Sequence, residues 1–179
     1  MLPHLAESVA VPWFLPGAAL FVAMAIAGGR RTGRALGVGP LVAQGLIVSI
    51  GIVLAVTLTP LRGVLELGAV GSGHCDLSRI GPAPLRELLT VNDTSLNVLL
   101  FVPLGATLAF LPRTRRTALV VAAAIALPFA IEATQLLVPW LDRACESADV
   151  VDNLTGLAIG LAGGVVAARL AAALDRRPR

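Results

Sequence analysis

Seven side chains in this sequence are of types that can hold a polar group or move a proton: Asn97, Glu132, Gln135, Arg143, Asp149, Asp152 and Asn153. All lie inside or beside long apolar runs, where a polar group is costly and usually has a partner or a task. Asp149 and Asn153 sit four residues apart on one helical stripe, with Asp152 on its edge. Glu132 is expected roughly 10 Å inside its helix end, at about 1.5 Å per residue. Inserting that acid costs on the order of 2–3 kcal/mol unless it is neutral or paired. Arg143 offers a bidentate guanidinium as its partner. A carboxyl group poised this way could act as general acid or base on a lipid headgroup or a lipid-linked wall precursor. On this reading Glu132, Arg143 and Asp149 are the candidates for catalysis, and Asn97, Gln135, Asp152 and Asn153 for binding. The same residues suit a network that only fixes helix register, since polar clusters also serve as glue between membrane helices. Whether any reaction is catalysed is left open.

Other chemistries find less support. Glu132, Asp149, Asp152 and the amides are hard oxygen donors, but without the tight spacing of a metal site, so no metal is expected. His74 reads as a solvated loop residue and His4 is terminal, which argues against zinc. Ser95, Ser147 and Thr155 have no evident base, which argues against a serine hydrolase. No cofactor is expected.

The elements that must position these groups are membrane helices. Hydrophobic residues make up 56% of the chain and charged ones 14%, where a soluble domain is nearer a quarter charged. Mean hydropathy is +0.85. The composition predicts an all-α, polytopic membrane bundle, and 179 residues suffice for a single domain. The net charge of +3 does not point to nucleic acid here. The arginines stand between and after apolar segments, where the partner is membrane lipid with anionic headgroups.

Five apolar runs, at about 11–28, 41–59, 95–111, 117–138 and 149–172, are each near the roughly 20 residues that cross a bilayer. Ala25-Ile26-Ala27 could pass for a signal-peptidase site, but the positive charge follows the apolar core instead of preceding it, so an uncleaved first span is expected. Arg30, Arg31 and Arg34, then Arg113, Arg115 and Arg116, then Arg176, Arg177 and Arg179 follow alternate spans. By the positive-inside rule this predicts an outside N-terminus and a cytoplasmic C-terminus. Trp13 and Trp140 are the natural interface anchors. Asp93-Thr94-Ser95 offers N-cap types for the third run, and Pro84–Leu89 suggests a short amphipathic piece on the outer surface. Pro103 and Pro128 lie within spans and could bend them around the polar groups. The seven candidates then approach one membrane face from separate segments. Cys75 and Cys145 both fall in outer loops, and a disulfide between them is predicted. Gly156, Gly160 and Gly164, spaced four apart, would let a neighbouring helix come close.

The second half of the chain resembles the VanZ-like family of bacterial membrane proteins. The resemblance rests on N-x3-F-x-P-L-G (Asn97, Phe101, Pro103, Leu104, Gly105), E-x2-Q (Glu132, Gln135) and R-x5-D-x3-N-x2-G (Arg143, Asp149, Asn153, Gly156), over about residues 92–165. Glu146 takes the place of the acid that often stands three residues after the arginine, while Asp152 is less typical. The resemblance implies a multi-pass protein of the bacterial plasma membrane in which Phe101, Pro103 and Gly105 are structural. The founding member protects against teicoplanin-type glycopeptides, which implies a cell-envelope component as ligand and, as a consequence, antibiotic resistance.

Overall fold

The computed structural model describes residues 13–60 and 73–175. The calls on His4, on the start of the first run and on the tail arginines Arg176, Arg177 and Arg179 lie outside the described residues. The chain is mostly helical: α1 (Phe14–Leu36), α2 (Pro40–Thr57), a one-turn α3 (Leu85–Leu88), α4 (Asp93–Leu108), α5 (Arg115–Leu137) and α6 (Ser147–Asp175). Two short strands, β1 (Cys75–Asp76) and β2 (Cys145–Glu146), pair in parallel, an addition to the all-helical expectation. Three helices, α2, α5 and α6 up to Leu174, are long and apolar enough to cross a membrane, and α4 is a shorter apolar helix.

Local chemistry sets the boundaries. α1 runs past Ala27 and carries Arg30, Arg31 and Arg34 in its last turns, because nothing before Gly37 breaks the helix. Those arginines were expected in a connector. Gly37 then adopts a left-handed φ of 73° and returns its N–H to the Gly33 carbonyl, a stop that glycine enters without steric cost. Pro40 opens α2 at a position where its missing N–H costs nothing. α4 is capped by Asn92, one residue before the expected trio: its side chain accepts from the Ser95 N–H, and Ser95 Oγ accepts from the Asn92 N–H. Thr114 and Thr117 make the same reciprocal cap for α5.

Two helix pairs organise the bundle. α1 and α2 form a hairpin in which Gly51 lies under the Phe21 ring and Gly29 under the Gln44 side chain. α4 and α6 are the other pair. A Cβ at Gly156 would fall on the Val98 carbonyl, one at Gly160 on the Val102 carbonyl, and one at Gly105 on the Leu157 carbonyl. Gly164 faces the Ala106 carbonyl in the same way. The glycines therefore bring backbone against backbone, the close approach that small residues permit between membrane helices. Between the pairs lies an apolar core that includes Leu46, Val53, Phe101, Leu104, Ala124 and Ile131. Pro128 is buried on the core side of α5, whereas Pro103 is exposed on α4.

Gly160→Val should lower thermal stability in detergent by about 1–3 kcal/mol, the usual cost of forcing methyl groups into a packed contact. Gly163→Ala, where a Cβ meets nothing within 4 Å, should be neutral or stabilising. Equal melting temperatures for the two variants would contradict the interface.

Candidate functional site

Hydrogen bonds fix which helix ends share a level. At one end, Gln135 Nε2 near the close of α5 donates to the Thr57 carbonyl at the close of α2, at 3.1 Å. Arg143 Nη2 donates to the Val56 carbonyl at 2.5 Å, with Thr59 O at 3.4 Å. The last carbonyls of a helix have no partner within it, so α2 presents acceptors to both side chains. The starts of α4 and α6 lie at this same end.

Glu132 is only 6% exposed. Its Oε2 accepts the Glu146 N–H at 2.8 Å, which ties α5 to β2. Among the described residues no cation lies within ion-pair distance of it. The expected Glu132–Arg143 pair is therefore not formed, because the α2 carbonyls hold the guanidinium. α5 ends at Leu137, so Glu132 lies five residues inside, or about 8 Å. Burial lowers the proton affinity of Arg143 from the usual arginine range, while the charges of Asp149 and Asp142 oppose that shift. An arginine so placed stays a cation. Asp149 faces the Asn97 amide of α4, so the site joins Asn97, Glu132, Arg143 and Asp149 from three helices and a loop.

Asp152 turns elsewhere. It is 1% exposed, and its Oδ2 accepts from Arg79 Nη2 at 2.5 Å, in an ion pair with a residue that sequence reasoning did not single out. Arg79 also donates to the Gly81 carbonyl at 3.0 Å, and its own carbonyl accepts from Ser147 Oγ at 2.8 Å. The Asp152 carboxylate raises the proton affinity of Arg79 further. The loop carrying Arg79 is held there by a disulfide between Cys75 and Cys145, whose Cα atoms are 4.5 Å apart, and by the β1–β2 pairing that starts at the same two residues. The available signal was an arginine four residues after a bridging cysteine. His74, beside β1, is exposed.

Asn153 is buried beside Gly156. Among the described residues, four buried polar atoms have no hydrogen-bond partner: Gln135 Oε1, Arg143 Nε, Asp152 Oδ1 and Asn153 Oδ1. Such atoms call for an explanation, because nearly all buried polar groups are hydrogen-bonded. Among the described residues no group of three or more acidic, histidine or cysteine side chains is arranged to hold a metal ion. Phe101 is fully buried in the core and, with Gly105, Gly160 and Gly164, serves packing instead of the polar cluster.

A groove of about 530 Å³ runs along this end between α5 and α6. Its walls are Phe129, Leu136, Val150 and Leu154, its roof is Leu77 and Ile80 beside the disulfide, and Glu132 is the one acid set within its apolar walls, with Glu146 at the β2 edge.

The VanZ/LLP1 family model matches residues 46–168. The chain belongs to the VanZ/LLP1 family. No curated protein and no solved structure matches it. The match begins before the resemblance noted at residue 92 and takes in most of α2 and the long loop. In this VanZ/LLP1 protein α2 supplies the carbonyls that receive Gln135 and Arg143, and the loop supplies Arg79. The VanZ/LLP1 region thus includes the partners of the polar residues as well as the residues themselves.

Arg79→Met should destabilise the protein by roughly 2–3 kcal/mol, because it leaves the Asp152 carboxylate buried without its charged partner. Arg86→Met, which removes an ion pair 4.0 Å long from an arginine whose side chain is 84% exposed, should cost less than about 1 kcal/mol. Adding Asp152→Leu to Arg79→Met should recover part of the loss. Thermal melts of the purified proteins decide this, and identical losses for Arg79→Met and Arg86→Met would count against the buried pair. In a non-reducing mass spectrum, the native protein should resist alkylation at Cys75 and Cys145, and two alkylated thiols would contradict the bridge.

Proposed function

We propose that this VanZ/LLP1 protein uses the Glu132 groove to bind, or act on, a lipid-linked component of the cell envelope. Glu132 carries the reading: a buried carboxyl group, with no cation beside it among the described residues, set in an apolar groove next to a polar cluster. An alkyl chain fits the apolar walls, and the head attached to it would meet Glu132 and Asp149. A carboxyl group in such surroundings can give or take a proton from a hydroxyl or amine on that head. The Arg143 guanidinium suits a phosphate ester. The unpartnered oxygens of Gln135, Asp152 and Asn153 suit a head with O–H or N–H donors.

The reading takes α1 and α4 as spans beside α2, α5 and α6, five in all. The Glu132 end faces outward across the bacterial plasma membrane and the arginine-rich end faces the cytoplasm. The charge placement supports this, with Arg30, Arg31, Arg34, Arg113, Arg115 and Arg116 all at the opposite end. A disulfide at the groove end accords with an oxidising compartment. Protection against teicoplanin-type glycopeptides would follow as a consequence of altering that envelope component.

A second reading rests on the hydrogen bonds from Gln135 and Arg143 to α2. They are links between helices, as a non-catalytic scaffold or accessory protein would need. Conservative variants separate the two. Glu132→Gln keeps an acceptor for the Glu146 N–H, and Asp149→Asn keeps a partner for Asn97, while both lose the titrating group. The measurement is labelled teicoplanin binding to a susceptible Gram-positive host expressing each form at matched membrane levels. The proposal expects reduced binding with the wild type and restored binding with either variant. Variants that protect as well as the wild type would exclude a role for the carboxyl groups. A loss of membrane abundance before any loss of protection would favour the scaffold.

A further inference from the structure

A second cavity lies at the other end of the bundle and shares none of the groove's residues. α5 packs against α6, but its backbone stands away from the α1–α2 hairpin. The two are joined at one end by Gln135 to Thr57 and at the other by Arg116, whose Nη1 donates to the Ala35 carbonyl at 3.2 Å. Between these ties is a cleft of about 620 Å³. Its walls are apolar, Ile47 and Ile50 on one side and Val120 and Leu127 on the other, with fully buried Leu104 of α4 as the floor. From Val120 to Leu127 it runs roughly 10 Å along the helix axis, at 1.5 Å per residue.

The mouth is cationic. Arg31 lines it, Arg116 reaches the carbonyl of Ala35 on its wall, and Arg30 and Arg34 lie on the adjoining turns of α1, all exposed. No aspartate or glutamate occurs between residues 28 and 41 or between 109 and 124. Among the described residues none of these arginines is paired with a carboxylate. Among the described residues, the four cations near this opening therefore have no carboxylate partner, while the walls beneath them are apolar. A molecule with an anionic head and an alkyl tail satisfies both conditions, and the cleft runs along the helices as lipid chains do.

We infer that this cleft seats one acyl chain of an anionic phospholipid, with Arg31 and its neighbours holding the phosphate. The lipid fills the gap between the hairpin and α5 and supplies a countercharge to these arginines. This site is separate from the Glu132 groove, so its failure would leave the proposed function untouched.

The test is native mass spectrometry of the purified protein, titrated with phosphatidylglycerol or with phosphatidylcholine of the same chains. Wild type should retain phosphatidylglycerol in preference. Arg31→Gln should weaken retention about fivefold, the effect of one arginine near a lipid headgroup. Arg169→Gln, on α6 and outside the cleft, should change it less. Ala123→Trp and Ala35→Trp fill the cleft from its two walls at exposed positions. Both should abolish the preference without altering charge. Equal retention of the two lipids by wild type would overturn the site, as would cleft-filled variants that bind phosphatidylglycerol like wild type. A wild-type dimer that either tryptophan converts to monomer would identify a second copy as the occupant and overturn it too.

Discussion

The structure depends on backbone contact between α4 and α6. Four glycines, Gly105, Gly156, Gly160 and Gly164, stand where any side chain would meet a facing carbonyl or its neighbours. Inside a bilayer, apolar side chains gain little by leaving lipid for one another, so close packing must supply the association. The contact also sets the polar end. With the helices held at this separation and register, Asn97 near the start of α4 comes level with Asp149 near the start of α6. A change of register by one residue would rotate the polar stripe of α6 by about 100°, toward the apolar surroundings where such groups are costly.

From that fixed pair the other polar groups find acceptors in the helix ends. α2 terminates where its last carbonyls can receive Gln135 and Arg143, and β2 offers its Glu146 N–H to Glu132. These links put a carboxyl group inside an apolar wall, and none of them is to a cation. The buried ion pair between Arg79 and Asp152 belongs to the loop held by the disulfide and lies over the start of α6. The molecule thus separates two kinds of acid: one neutralised by a cation in the service of the fold, the other left beside a groove.

The two ends of the bundle differ in charge for a related reason. At the groove end, acids, amides and two arginines satisfy one another in part. At the far end the described loop and helix-end residues 28–41 and 109–124 carry arginines and no acid.

Much of this was legible in composition and spacing. The span-length apolar runs, the clustering of arginines at alternate connections and the stripe of glycines are local properties, readable because helix periodicity relates neighbours in sequence to a face. Even the cysteine link could be nominated, since the chain has only two cysteines. The partners of the buried charges were not legible. Arg143 stood near Glu132 in the sequence order of the helices and looked like its counter-ion, whereas the carbonyls of Val56 in α2 and of Thr59 just after it, 87 and 84 residues away, took its guanidinium. Asp152 found Arg79 across 73 residues. Those choices depend on the path of the long loop and on where each helix ends in space. Local pattern carries neither, and only the packed structure brings the competing partners within reach of one another.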